Sequence, residues 1–190
     1  MKILVVLGSV REGRIGDKIA NWVMQLAESR DSKFQYELLD LKDYPMKFYQ
    51  EAKYPSQLNG QSSDKNANKW IKKVGEADGF LIITPEYNRG TSGVLKNAID
   101  YPGNEWHKKP VAVVGYGGMS GGGRAVEQLR LNFIELQTVP IREGILIQFA
   151  GSKIINGVLQ MDKHLTNGLE KTFDQLEWYA KVLKNARDSE

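Results

Sequence analysis

The chain has 190 residues, of which 41% are hydrophobic and 26% charged, proportions typical of an ordinary globular domain and not of a disordered chain. It contains no cysteine and two histidines, which excludes disulfides, thiolate nucleophiles, zinc fingers and cysteine-ligated iron–sulfur clusters. The formal net charge of +3 is too small, without clustering, to indicate a nucleic-acid partner. No apolar run approaches the roughly 20 residues that a membrane span needs.

The predicted secondary structure alternates between short apolar strands and longer helices. Apolar runs predict five strands, over residues 3–7, 34–41, 80–84, 110–115 and 145–149. Apolar positions three and four residues apart predict five helices, one beginning near residue 15 and the others covering 67–77, 94–99, 126–136 and 169–183. We expect Ser62 or Ser63 to cap the second helix, an extended connection over 44–60, and a frayed end over 185–190.

This alternation predicts the fold class. Strands that alternate with helices form a parallel, doubly wound α/β sheet with right-handed crossovers. No linker, composition break or repeat divides the sequence, so we expect residues 1–190 to form one domain. The apolar run 3–7 that follows Met1 is too short for a signal sequence and lacks a convincing cleavage site, which favours a cytoplasmic protein.

The loop after the first predicted strand has the composition of an anion-binding site. Residues 8–16 (Gly-Ser-Val-Arg-Glu-Gly-Arg-Ile-Gly) run into a helix and bring backbone amides, a hydroxyl and the guanidinium groups of Arg11 and Arg14 together. A terminal phosphate fits this loop best, and the alternative is a solvated turn whose arginines face water. Because the Lys-Ser/Thr of a P-loop and a G-x-G-x-x-G segment are both missing here, a P-loop NTPase and a dinucleotide fingerprint are disfavoured.

Two further loops at the same edge of the predicted sheet are unusual. Residues 84–93 combine a stiff proline with glycines, so that fixed backbone groups could read the edge of a planar heteroaromatic ring flanked by Tyr87 or Asn88. Residues 115–123 contain six glycines in nine positions, which indicates close approach of a ligand face or ring edge. The alternatives are an ordinary loop before a helix capped by Ser92, and a mobile loop without a ligand. Ligands of such sheets bind beyond the carboxyl ends of the strands, so we expect all three loops to form one site.

Three segments resemble the signature segments of the NADPH-dependent FMN reductases, a family of flavodoxin-like quinone, azo-dye and chromate reductases. They are Gly8-Ser9-Val10-Arg11, Pro85-Glu86-Tyr87-Asn88 and Leu95-Lys96-Asn97-Ala98-Ile99-Asp100-Tyr101. The resemblance extends from Met1 to about Leu136, and the Pro-Glu-Tyr-Asn segment is its strongest marker. It implies a flavodoxin-like three-layer sandwich, with a five-stranded parallel sheet in the order 2-1-3-4-5, and FMN bound without a covalent bond.

The resemblance also implies positions for the cofactor. The phosphate would be held by Ser9, Arg11, Ile15 and Gly16, with Arg14 in the same loop. The isoalloxazine ring would be lined by Pro85, Glu86, Tyr87 and Asn88, and its other side would be approached by Tyr116, Gly117 and Ser120. Two positions depart from the family pattern: Tyr101 stands where a Trp is frequent, and Arg89 where a small or polar residue is frequent.

We assign no catalytic side chain and no metal ligand. The flavin would carry the redox step, which agrees with the lack of cysteine and the scarcity of histidine. His107 and His164 lie in polar segments and are expected to face solvent. Glu86 is expected to shape its loop by hydrogen bonds, with a subunit contact as the alternative. Trp106 and Tyr49 either border a ligand or cover a neighbouring side chain.

The expected function is that of an FMN-dependent oxidoreductase that passes two electrons from NADPH through FMN to quinones, free flavin, azo compounds or metal oxyanions. The resemblance also implies a homodimer or homotetramer, and Arg89 or Arg124 could pair with the 2′-phosphate of NADPH. One alternative is a non-enzymatic flavodoxin-type electron carrier, against which the net charge of +3 counts, because such carriers are usually acidic. A phosphoester-binding regulator or phosphatase is another, but it leaves the second and third loops without a purpose.

Overall fold

The apolar run near the amino terminus forms an inner strand of a parallel sheet. In the computed structural model, which describes residues 1–189, β1 (Lys2–Leu7) pairs with β2 (Gln35–Asp40) on one side and with β3 (Gly79–Pro85) on the other. Beyond β3 the sheet continues with β4 (Pro110–Tyr116). Side chains 3–7 are at most 2% exposed, as expected for a strand covered on both faces. The order β2-β1-β3-β4-β5 confirms the predicted flavodoxin-like topology.

The fifth position of the sheet is shared by two short strands. β5 (Val139–Pro140) pairs with the beginning of β4, and β6 (Ile145–Ile147) pairs with its end, both in parallel. The predicted strand over 145–149 ends early, because Phe149 has a φ of 46° and leaves the extended conformation. The order of the sheet is therefore as predicted, whereas the length of its fifth strand is not.

Helices cover both faces of the sheet. On one face pack α1 (Gly16–Glu28) and α5 (Lys163–Arg187). On the other pack α2 (Lys65–Glu76), α3 (Gly93–Asp100) and α4 (Gly123–Glu135). Alternate strand side chains point to opposite faces, so each face has its own apolar core, with Val5 in the first and Val6 in the second. A small antiparallel hairpin of β7 (Ile154–Ile155) and β8 (Val158–Leu159) precedes α5.

Asp64 caps the beginning of α2. Its carboxylate accepts hydrogen bonds from two amides of the first turn. The hydroxyls of Ser62 and Ser63 donate instead to the carboxylate of Glu51, at 2.5 and 2.8 Å. The predicted serine caps are therefore wrong, because Asp64 stands directly before the helix and both serines are engaged with the preceding connection.

Trp106 is part of an apolar core. It is fully buried, with its ring 4.5 Å from that of Phe80 and 5.5 Å from that of Phe133, measured between centroids. Tyr49 packs edge to face on Tyr101 at 5.2 Å. Both aromatic side chains thus cover neighbouring side chains, which was one of the two roles expected for them.

The last helix extends further than the sequence indicated. α5 continues to Arg187, whose guanidinium donates to the carbonyl of Lys108 at 2.5 Å and to Asp78 at 3.4 Å. Residues 185–187 are helical where we expected a frayed end, because these contacts tie the end of α5 to the amino-terminal edge of the sheet. Glu190, which belongs to the same expectation, lies outside the described residues.

Candidate functional site

Three loops meet at the carboxyl edge of the sheet. They follow β1, β3 and β4, which are neighbours, so the topology alone brings the loops together. Between them lies a groove of about 170 Å³. It is lined by Arg11, Arg14, Ile15, Pro85, Glu86, Tyr87, Tyr116, Gly117 and Gly151. Eight of these nine residues are among the twelve that the sequence predicted to bind the cofactor.

The other four predicted residues support the groove from behind or flank it. Ser9 is fully buried, and its Oγ lies 2.9 Å from the hydroxyl of Tyr87. Gly16 packs against Tyr116, whose hydroxyl would lie 2.8 Å from a Cβ added at the glycine. Ser120 donates to Glu86 at 2.8 Å, and Asn88 is exposed in the turn after Tyr87.

A larger depression lies away from these loops. It measures about 710 Å³ and runs along β6 and the beginning of α5. Its lining mixes Lys153 and Lys171 with Asp162 and Glu143, and Lys153 is already paired with Asp162 at 3.3 Å. None of the twelve predicted residues borders it, so size alone does not identify the functional site.

The beginning of α1 leaves hydrogen-bond donors without partners. Ile15 occupies the N-cap position, and no side chain accepts a bond from the first turn. The amides of Ile15, Gly16 and Asp17 have no hydrogen-bond acceptor within residues 1–189. Unpaired amides together with the positive end of the helix dipole favour an anion at this point.

Arg14 is already engaged within the protein. Its side chain is 4% exposed, and its guanidinium donates to the carbonyl of Ser9 and, through two nitrogens, to the carboxylate of Asp40. A further bond of 2.6 Å joins its Nε to Asp17. Arg14 thus fastens the loop after β1 to the end of β2.

The pair of Arg14 and Asp40 also changes the acidity of the carboxyl group. Burial by itself would raise the pKa of Asp40. The hydrogen bond from Arg14 and the amide of Lys42 oppose this and hold the pKa below its ordinary value. Arg11 differs from Arg14, since it is exposed and donates to the carbonyls of Glu12 and Gly13 in its own loop.

The loop after β3 contains a tight two-residue turn. Tyr87 and Gly90 exchange backbone hydrogen bonds of 2.8 and 3.0 Å, and the residues between them, Asn88 and Arg89, have φ values of 50° and 70°. Two central residues with positive φ define a type I′ turn. The loop continues into Ser92, which caps α3 as predicted and also donates to the carbonyl of Gly8.

Glu86 joins the loop after β3 to the glycine-rich loop. Its side chain is 9% exposed. One carboxylate oxygen accepts bonds from the hydroxyl of Ser120 and the amide of Arg124, and the other accepts from the Arg124 guanidinium at 2.6 Å. Burial would raise the pKa of Glu86, but these bonds offset it and lower the pKa below the ordinary range. Glu86 thus makes the loop-shaping hydrogen bonds that were expected of it, and the alternative of a subunit contact stays a prediction.

The glycine-rich loop is held against the chain that follows β6. Gly117 donates to the carbonyl of Ile147 and accepts from the amide of Ala150, at 3.2 and 3.0 Å. Gly122 has a φ of 90°, and a Cβ there would lie 2.5 Å from the backbone nitrogen of Tyr116. Burial raises the pKa of Tyr116 to about 12, so its phenol stays protonated at neutral pH.

Gly151 lines the groove and was not predicted. It follows β6 at the same edge of the sheet as the three loops. A glycine just after the fifth predicted strand could have indicated this position. The residues around it, however, lack the composition of a ligand-binding loop. Phe149 precedes it and is 56% exposed.

The histidines lie apart from the groove. His107 is half-buried and His164 is exposed. Within residues 1–189, no three His, Cys, Asp or Glu side chains come close enough to hold a metal ion. In the same range, no helix has the length and apolar character needed to cross a membrane.

Comparison with known proteins gives consistent matches. Residues 1–151 match the family described as NADPH-dependent FMN reductase. The chain is 36% identical over 180 residues to an NAD(P)H-dependent FMN reductase of Schizosaccharomyces pombe, covering 92% of this chain and 88% of that protein. It is 33% identical over 133 residues to an NAD(P)H:quinone oxidoreductase of Solanum tuberosum, covering 68% and 66%. Its fold is similar to that of FerB, a flavoenzyme NAD(P)H:(acceptor) oxidoreductase from Paracoccus denitrificans, with a TM-score of 0.70, 24% identity and 97% coverage of both chains.

The sheet order and the groove at its carboxyl edge define a flavodoxin-like α/β protein. The sequence matches decide the family within this fold, since they cover most of the chain. The chain belongs to the NADPH-dependent FMN reductase family. It is accordingly an oxidoreductase that uses FMN and NAD(P)H, as the sequence predicted.

Proposed function

We propose that residues 1–190 form one flavodoxin-like domain that binds FMN in the groove between the loops after β1, β3 and β4. The observation that carries this proposal is the beginning of α1, where three successive amides have no acceptor among residues 1–189. These donors and the exposed Arg11 belong to the same loop, and Ile15 and Arg11 line the same groove. A phosphate fits this set of donors, because it supplies several acceptor oxygens and negative charge.

The proposed cofactor contacts follow the three loops. The phosphate is held by Ser9, Arg11, Ile15 and Gly16. The isoalloxazine ring is lined by Pro85, Glu86, Tyr87 and Asn88, with Tyr116, Gly117 and Ser120 on its other side. Arg14 contributes by holding the first loop in place, because its donors are occupied by Asp40, Asp17 and Ser9. Glu86 contributes mainly by joining the second and third loops.

The protein's own groups bind and orient and need not transfer a proton. FMN, when bound, supplies the hydride and electron chemistry. The lowered pKa keeps Glu86 ionised at neutral pH, and the raised pKa keeps Tyr116 neutral. Backbone amides at the groove can stabilise negative charge without any side-chain acid or base. We therefore assign no catalytic side chain.

We also propose NADPH as the preferred donor, and quinones, free flavin, azo compounds and metal oxyanions as acceptors. Reduction of quinones is supported by similarity to the Solanum tuberosum enzyme. The reductase is proposed to act in the cytoplasm. A non-enzymatic carrier is the weaker candidate, because the family is one of reductases and the net charge is +3.

A homodimer or homotetramer is the proposed assembly. Exposed apolar side chains on α4 and α5 support it: Leu131 is 68% exposed and Ile134 61%, and Trp178 is 60% exposed. Leu131 and Ile134, three residues apart, share one face of α4, whereas Trp178 lies on the other side of the sheet. Large apolar side chains grouped on a helix face, as on α4, favour a protein contact. Light scattering of the purified protein measures the assembly, and a monomeric mass at micromolar concentration would contradict it.

The decisive experiment is an absorption spectrum of purified protein supplemented with FMN and then desalted. The proposal expects a yellow protein whose flavin absorbance bleaches when NADPH is added without oxygen and no partner reductase is present. A colourless protein would overturn the cofactor site. A yellow protein that NADPH cannot reduce would favour the electron carrier. Calorimetry that compares the affinities for FMN, AMP and phosphate distinguishes the FMN reductase from the remaining alternative, because a phosphoester-binding regulator would prefer AMP or phosphate.

A further inference from the structure

Arg11 and Arg14 line the groove, Arg89 lies in the loop after β3 and Arg124 at the beginning of α4, and three of these four arginines have partners. Arg14 is paired with Asp40, and Arg124 with Glu86. Arg11 donates to two carbonyls of its own loop, beside the proposed phosphate site. Lys96, at the neighbouring α3, is paired with Asp100 at 2.7 Å.

Arg89 differs from these three arginines in its contacts. Its side chain is exposed, and within residues 1–189 its guanidinium makes neither a hydrogen bond nor an ion pair. Its backbone is braced, since Gln128 donates to its carbonyl at 3.1 Å. Arg89 therefore presents an unpaired positive charge on a well-held turn, two residues after Tyr87 of the groove.

The backbone at Arg89 is strained. Its φ of 70° lies in the left-handed region, where a residue with a Cβ is disfavoured and glycine is the usual occupant of this turn position. Strained positions concentrate at sites where the side chain has a function. An arginine in place of glycine thus indicates a use for its guanidinium outside the fold itself.

We propose that Arg89 binds the 2′-phosphate of NADPH and makes the enzyme prefer NADPH to NADH. This inference rests on the proposed flavin site, because the nicotinamide must reach the ring that Tyr87 and its neighbours line. The 2′-phosphate is the group that distinguishes the two donors, and guanidinium is the side chain best suited to it. Arg124, the other candidate from the sequence, is held by Glu86.

The test compares Arg89→Gly and Arg89→Gln with Arg142→Gln, which removes an equal charge from an exposed pair outside the groove. First, kcat/KM is measured for NADPH and NADH with 1,4-benzoquinone as acceptor. Second, calorimetry measures binding of 2′,5′-ADP and 5′-AMP to the protein with and without FMN. Both Arg89 variants should lower the NADPH/NADH ratio of kcat/KM about tenfold and weaken 2′,5′-ADP binding about tenfold relative to 5′-AMP. Arg142→Gln should change neither ratio.

Three results would overturn the inference: a ratio that changes less than twofold, equal effects on 2′,5′-ADP and 5′-AMP, or no donor preference in the starting protein. Arg89→Gly is expected to fold with an undiminished melting temperature, because glycine relieves the positive φ. Failure of the flavin site is recognised separately, since that protein would not retain FMN. If the Arg89 variants are yellow and their NADPH/NADH ratio of kcat/KM is unchanged, the role of Arg89 is wrong and the flavin site stands.

Discussion

The hydroxyl of Tyr87 lies 2.9 Å from Oγ of Ser9, so the loop after β3 is hydrogen-bonded to the loop after β1. Both residues were predicted to contact the cofactor, and they also contact each other. The bond joins the proposed phosphate end of the groove to its proposed ring end. Each residue therefore helps to position the other.

The coupling between Ser9 and Tyr87 can be measured with Ser9→Ala, Tyr87→Phe and the double variant. Each single variant should weaken FMN binding, and Ser9→Ala should do so more strongly, because Ser9 is also proposed to contact the phosphate. A neutral hydrogen bond contributes about 0.5–1.5 kcal/mol, so a coupling energy of about 1 kcal/mol is expected. Fluorescence titration of FMN measures the dissociation constants of the starting protein and of the three variants. Strictly additive effects would contradict a functional link between the loops.

The pair of Arg14 and Asp40 should matter for stability more than an exposed pair does. Asp40→Asn removes the carboxylate that two nitrogens of the largely buried Arg14 guanidinium contact and leaves it only the exposed Asp17, so the free energy of unfolding should fall by about 3 kcal/mol. Lys96→Gln removes one member of an exposed pair and should change it by less than about 1 kcal/mol. Urea unfolding followed by circular dichroism gives both values. Similar losses in the two variants would show that Arg14 does not fasten the loop.

Glu86 should contribute stability that depends on pH. Its folded-state pKa lies below its ordinary value of 4.5, so the contribution is present above that value and is lost as the pH falls through the folded-state pKa. Glu86→Gln should therefore be less stable than the starting protein at pH 7, and the difference should shrink in acid. Melting temperatures from pH 3 to 7 test this. Glu127→Gln, at an exposed position, is the matched control and should show no such trend.

Lys109 should give a pH dependence of the same sign, but in the alkaline range. It is 7% exposed, its Nζ donates to the carbonyls of Val74 and Gly75, and burial lowers its pKa from 10.5 to about 8. Between these two values the unfolded chain binds more protons than the folded protein, so folding becomes more favourable as the pH rises. The stability of the starting protein relative to Lys109→Met should thus increase from pH 8 to pH 10. A constant difference in urea unfolding over this range would contradict it.

The glycine-rich loop should tolerate substitution at one position and not at its neighbour. Gly122→Ala would place a Cβ 2.5 Å from the nitrogen of Tyr116 at a φ of 90°, whereas Gly123→Ala meets a side-chain carbon at 3.4 Å. We expect the first to lower the melting temperature and FMN affinity strongly, and the second to change both little. Thermal melts and flavin retention after desalting provide the readout. Equal tolerance would mean that the loop rearranges freely.

Part of the site was predictable because it follows from local composition and sheet topology. The loop with Arg11 and the Pro-Glu-Tyr-Asn segment could be recognised as binding loops from their residues alone. Because the strands are parallel, the loops that follow them must share one edge of the sheet. The predicted serine caps of α2 were wrong. Ser62 donates to Glu51, a contact that the fold of the preceding connection creates, and Asp64 caps the helix instead. Gly151 was missed because the path of the chain after β6 depends on backbone contacts with Gly117.

The sequence by itself determined the alternation of strands and helices and the family, because hydrophobic period and signature segments are properties of neighbouring residues, and the order of the sheet was what the family resemblance implied. The tertiary structure decided which charges remain free. Arg14 meets Asp40, 26 residues away, and Arg124 meets Glu86, 38 residues away, whereas Arg89 meets no partner in the described chain. Such pairings depend on where separate elements pack, since an ion pair forms only when two distant segments bring their charged atoms within a few ångströms.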